Sequence, residues 1–139
     1  MSNYETDFYD WTKAQADALR RRAANALDWD NLAEEIETLG RSDRHQIESR
    51  LENLVLHLLK WRYQPEQQCG GWRGSIFEAR HRLERLVSES PSVRSYPAEY
   101  LAKAYPYARR KALDEAGLSR LPDESPWTIE EILSPDFLP

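Results

Sequence analysis

The chain has 139 residues, with 24 Asp and Glu against 19 Lys and Arg, a formal net charge of -5 and a pI near 5.3. That length allows one sizeable core, and five Trp, seven Tyr and three Phe exclude collagen-like, low-complexity and wholly disordered readings. A single Cys, Cys69, rules out an internal disulfide or a thiolate zinc site; no apolar run reaches the ~20 residues of a bilayer span, and Met1 to Arg20 lacks a signal peptide's apolar middle. The expectation is one cytoplasmic domain over residues 1–139 with no membrane association.

Only five Gly occur, and the eight Pro cluster near Pro65, Pro91 to Pro106 and the last eighteen residues, leaving long stretches free for helix. Phe8, Trp11, Ala14 or Gln15, Ala18 and Leu19 follow one helix face, and Thr6, Asp7 and Asp10 suit its start. The spacing predicts a first helix from about Asp7 to Ala24, with Arg20 to Arg22 near its negative end. The stretch Asp28-Trp29-Asp30-Asn31 offers a cap for a second helix carrying Leu32, Ile36 and Leu39, which Gly40 interrupts or ends. From Ser42 the stripe Ile47, Leu51, Leu54, Val55, Leu58 and Leu59 marks a central core helix, running to Arg62 or Tyr63 because Gln64 precedes Pro65.

Pro65 to Gly71 reads as a loop. A further helix is expected from Trp72, or from a capping box at Ser75 to Glu78, with the face Ile76, Ala79, Leu83, Leu86 and Val87. Ser90-Pro91 opens a short turn or helix broken near Pro97. The run Leu101, Ala104, Tyr105, Ala108, Ala112 and Ala116 then predicts a helix closed by Gly117 and kinked or divided by Pro106. Thr128 with Glu131 has capping-box spacing, and Trp127 with Ile132 that of a hydrophobic staple, so a short terminal helix should dock on the body. No repeat and no long period-two segment is present. The fold class is therefore all-α, a bundle of five to six helices with a long central helix.

Several segments resemble a family of bacterial proteins catalogued as domain of unknown function 29: Tyr4 to Trp11, Leu27-Asp28, Glu34 to Ser42, Ser49-Arg50-Leu51, His57 to Trp61 and Tyr63-Gln64-Pro65. The resemblance continues through Trp72-Arg73, Ser90-Pro91-Ser92, Tyr105, Ala108-Arg109, Pro126-Trp127-Thr128 and Asp136 to Pro139. It covers essentially the whole chain and implies an all-helical bacterial protein without an assigned activity, so it supplies no catalytic residues.

The most chemical spacing is Arg50 and His57, about two helical turns apart on one side of the central helix. An Arg and a His so spaced are what metal-independent helical ribonucleases of the HEPN type use, the Arg for phosphate charge and the His for proton transfer. The bland alternative is a His57 hydrogen-bonded at the edge of the core among Leu54, Leu58 and Trp61. Glu78-x-x-His81 has half of a di-iron pattern, but the second half is missing and Arg80, Arg82 and Arg85 would repel a cation. No metal site and no cofactor are expected. Glu34, Glu35 and Glu37 read as an acidic outer face, and Gly70-Gly71-Trp72-Arg73-Gly74 lacks the Lys and the preceding strand of a phosphate loop.

Charge is unevenly spread. Residues 1–40 carry 9 acidic and 4 basic side chains, residues 41–116 carry 10 and 14, and residues 117–139 carry 5 and 1. Arg41, Arg44, Arg73, Arg80, Arg82, Arg85 and Arg109-Arg110-Lys111, with Trp61, Tyr63 and Trp72, would suit a nucleic-acid surface, which the acidic pI disfavours. Acidic ends could instead fold over the basic middle or meet the middle of a second copy. The leading expectation is a protein-interaction module, most simply a homo-oligomer; metal-independent ribonuclease chemistry at Arg50 and His57 is the alternative.

Overall fold

The computed structural model describes residues 3–139; Met1 and Ser2, the start of the segment read against a leader, lie outside the described residues. Five α-helices follow in order: α1 (Phe8–Arg20), α2 (Trp29–Tyr63), α3 (Gly70–Glu89), α4 (Tyr96–Ala116) and α5 (Ile129–Leu133). Short 3-10 turns lie at Ala24–Ala26, Pro65–Gln67 and Pro91–Val93, and no strand occurs among the described residues. The fold is all-α, and no helix is long and apolar enough to cross a membrane among the described residues. Packing divides the chain into two units, Met1–Ser42 and Asp43–Pro139.

In the first unit the Asp7 carboxylate caps α1 by accepting from the Asp10 amide at 3.1 Å. The helix ends at Arg20 rather than near Ala24. The Ala23 amide bonds back to the Ala18 carbonyl at 2.9 Å and the Arg22 amide to Leu19 at 3.1 Å, a Schellman closure with Arg22 left-handed at φ 56. That conformation favours Gly, so an Arg there leaves no stop signal in the sequence. The buried face of α1 is Trp11, Gln15 and Ala18. Two polar ties fix it: the Trp11 indole donates to Asp28 at 3.0 Å, and the Gln15 side chain accepts from the Asp28 amide at 2.7 Å and donates to the Ala26 carbonyl at 3.3 Å. Tyr4, whose ring packs edge-on against Phe8 and Trp11, donates its hydroxyl to Glu35. That bond, with burial and nearby carboxylates, pushes the Tyr4 pKa up to about 12.

Gly40 neither ends nor divides a helix, because α2 runs through it without a break. Its φ is not positive and nothing lies within 4 Å of where a Cβ would stand. The helix simply carries the interior cost of Gly, which the ladder on either side outweighs.

The second unit is built on the expected stripe. Ile47, Leu51, Leu54, Val55, Leu58 and Leu59 are all fully buried, joined by Leu56, which the spacing did not mark. They pack with Ile76, Ala79 and Leu83 of α3, Ala104, Tyr105, Ala108 and Ala112 of α4, and Ile132 of α5. Three small Ala on α4 leave room for close helix contact.

Helix α3 starts at Gly70, two residues before Trp72, and Ser75 to Glu78 is helix interior instead of a capping box. Its buried face supplies the stability its glycines lack. Pro97 begins α4 rather than breaking it, since a first-turn residue needs no donor. Pro106 is tolerated inside an undivided α4 because it and Ala102, whose carbonyl loses its partner, both lie on the exposed face where water can serve. Gly117 closes α4 in the left-handed region at φ 64, as expected. The terminal capping box is complete: the Thr128 side chain accepts from the Glu131 amide and the Glu131 carboxylate from the Thr128 amide.

Gly40→Ala is expected to stabilise the protein by roughly 0.5–1 kcal/mol, since it adds helix propensity in open space. Chemical denaturation followed by circular dichroism reads the shift.

Candidate functional site

Arg50 and His57 leave the same helix yet meet different company. Half-buried His57 donates from Nδ1 to the Asn53 carbonyl at 2.8 Å, and burial holds its pKa below the usual 6.5. Its charged neighbours are Lys60, Lys111 and Glu115, with Lys60 paired to Glu115 at 3.0 Å. Arg50 lines a groove of about 230 Å³ with Gln46, Arg82, Arg85, Leu86 and Glu89. There Arg82 is paired to Glu78 at 2.9 Å and Arg85 to Glu89 at 3.0 Å.

Two arginines drawn into the nucleic-acid surface by their charge are structural. Arg80, only 7% exposed, donates to the carbonyls of Ile132 at 2.9 Å, Pro135 at 3.3 Å and Phe137 at 2.7 Å. Arg109 donates to the carbonyls of Leu121 at 3.2 Å and Pro122 at 3.0 Å and pairs at 3.5 Å with Asp123. Tyr105 adds a bond to the Pro122 carbonyl at 2.7 Å, and burial pushes its pKa up to about 12. These side chains hold the C-terminal segment and are withdrawn from any phosphate surface. Trp127 and Phe137 close the segment with an edge-on ring contact at 6.1 Å.

A second feature without a signal in the linear sequence lies between α2 and α4. Tyr96 donates to Glu48 and Tyr100 to Glu52 at 2.7 Å, two pairs in register because both helices repeat at four residues. The Arg44 guanidinium sits 4.4 Å from the Tyr96 ring centre, and exposed His45 adds a contact to Glu48 at 3.2 Å. The phenol bonds lower the Glu48 pKa and raise those of Tyr96 and Tyr100. The array locks helix register and engages both carboxylates with phenol donors.

The remaining acidic candidates are committed as well. Glu34 and Glu37 both pair with Arg41, Glu35 takes the Tyr4 hydroxyl, and Glu78 is held by Arg82 while His81 stacks on Phe77. No group of three potential ligands is gathered for a metal among the described residues.

An apolar-walled hollow was not anticipated from sequence. It measures about 390 Å³ and is bounded by Arg80, Leu83, Glu84 and Val87 of α3, by Arg94 and Pro97 at the start of α4, and by Leu133 and Pro135 of the tail. Its residues come from three separated segments, so no local spacing could reveal it.

Fold and site together define an all-helical protein whose terminal segment is fastened by one buried arginine, Arg80, and one half-buried arginine, Arg109. The chain belongs to the family described as domain of unknown function DUF29, whose model matches residues 3–138. No curated protein and no solved structure matches it.

Because burial depresses the His57 pKa, the unfolded chain takes up a proton that the folded chain resists as pH falls through 6.5. His57 therefore contributes stability above that pH that is lost progressively below it, and a His57→Gln variant should lose less stability between pH 7 and 5 than the parent. Urea unfolding across that range checks the slope.

Proposed function

We propose that the protein is an interaction module that self-associates through the first half of α2. One observation carries the reading: Trp29, Ile36 and Leu39 are 63%, 67% and 69% exposed, and with half-buried Leu32 they follow a three-four-three spacing. That is the seam of a helix that packs on another helix. Three large apolar groups exposed over three turns expose a patch that water disfavours. Glu34, Glu37 and Arg41 lie on the side away from the seam, where Arg41 pairs with both carboxylates. Glu35 flanks the seam and is engaged by Tyr4, and the other flanking positions include the small residues Ala33 and Gly40.

A second copy supplies the matching seam, because the same apolar residues repeated on a two-fold-related helix are self-complementary. Sedimentation or light scattering of the purified chain should show a dimer that Ile36→Glu with Leu39→Glu converts to monomer, weakening association at least about a hundredfold. Both side chains are exposed, so the helical circular dichroism signal should be unchanged. A parent chain that stays monomeric at high concentration removes the reading.

Metal-independent RNA cleavage is the second reading, favoured by the gathering of Arg50, Arg82 and Arg85 along one groove. It expects cleavage in the presence of EDTA that His57→Ala abolishes. Equal absence of cleavage in both proteins removes it for the RNAs tried.

A further inference from the structure

We propose that the hollow between α3, the start of α4 and the tail binds a small monoanion with an apolar body, of the class of medium-chain or aryl carboxylates. The walls are apolar, from Leu83, Val87, Pro97, Leu133 and Pro135. At about 390 Å³ the volume lies within the roughly 300–1,000 Å³ of small-ligand sites.

The charge of the lining selects an anion. Arg80 is buried with no carboxylate in ion-pair contact among the described residues; Asp136 acts on it only at longer range. A buried cation whose only counter-charge is distant is costly, and neutral carbonyls repay part of that cost. A guanidinium has five N–H groups, and the tail carbonyls engage three, leaving one on each terminal nitrogen outside those bonds. Arg94, exposed at the rim, likewise has no ion-pair partner among the described residues. Glu84 stands on the same rim and subtracts one charge, so the three ionic groups that line the hollow sum to a single positive charge; Asp136 acts on Arg80 from the neighbouring hollow and is not part of this lining. A carboxylate satisfies that balance, its chain covers the Leu and Val walls, and a dianion would exceed it.

Isothermal titration with octanoate, with octan-1-ol as the uncharged comparator, tests the assignment on the full chain. The parent should bind octanoate saturably and the alcohol at least about tenfold more weakly. Arg94→Glu, a change at an exposed position that the fold does not need, should weaken octanoate at least about tenfold, while Glu84→Gln should tighten it. Methyl resonances of Leu83, Val87 and Leu133 should shift on titration, which places the ligand. Absence of saturable octanoate binding, equal affinity for the alcohol, indifference to Arg94→Glu, or shifts confined to other residues would each overturn the proposal.

Discussion

The buried guanidinium of Arg80 is the interaction on which the second unit most depends. Its three bonds run to carbonyls at Ile132, Pro135 and Phe137, which lie more than fifty residues away in sequence. A five-residue helix such as α5 cannot persist alone, since nucleation costs more than one turn returns. The fastening of its Ile132 carbonyl by Arg80 and the burial of the Ile132 side chain in the core make it part of the fold. Arg109 and Tyr105 do the same for the segment before it. The tail in turn supplies the wall of the hollow proposed to take a carboxylate. Burial that lowers the Arg80 pKa leaves the group charged at any physiological pH, because even a lowered guanidinium stays protonated.

Helix α2 divides its labour along its length. From Ile47 onward its apolar groups are fully buried, whereas Ile36 and Leu39 are exposed although their residue types and spacing are alike. The same 3.6-residue pattern thus serves a core in one stretch and, on the reading above, a partner in the other. The polar ties of α1 differ in kind from those of α4: Trp11 and Gln15 lock onto the short segment around Asp28, and Tyr96 and Tyr100 lock onto carboxylates of α2 itself.

Periodicity made the helices and the core legible, because burial imposes a regular spacing on apolar residues; the stripe Ile47 to Leu59, the Ala face of α4 and the Thr128 box were all readable this way. Breakers were less faithful guides. Gly40 and Pro97 read as breaks and Gly70 as loop, yet each lies within a helix, and Pro106 does not divide α4. The true stop at Arg22 carries no Gly. Spacing singles out candidate residues mainly where one helix holds them, as for Arg50 and His57. The Arg80 fastening, the Tyr–Glu pairs and the 390 Å³ hollow join residues distant along the chain, and charge counting alone cast Arg80 and Arg109 as surface groups.

The tail fastening has a consequence for tolerance to mutation. Arg80 and Arg109 recognise main-chain oxygens, which every amino acid offers alike. So far as these bonds are concerned, residues 121, 122 and 134 to 137 can exchange side chains freely provided the path of the backbone is kept, whereas neither arginine can become lysine, whose point charge cannot match the three carbonyls at Arg80 or the two at Arg109. Sequence drift in this terminus is thus buffered by two fixed positions elsewhere, and the variation the tail can absorb is available for reshaping the hollow it borders.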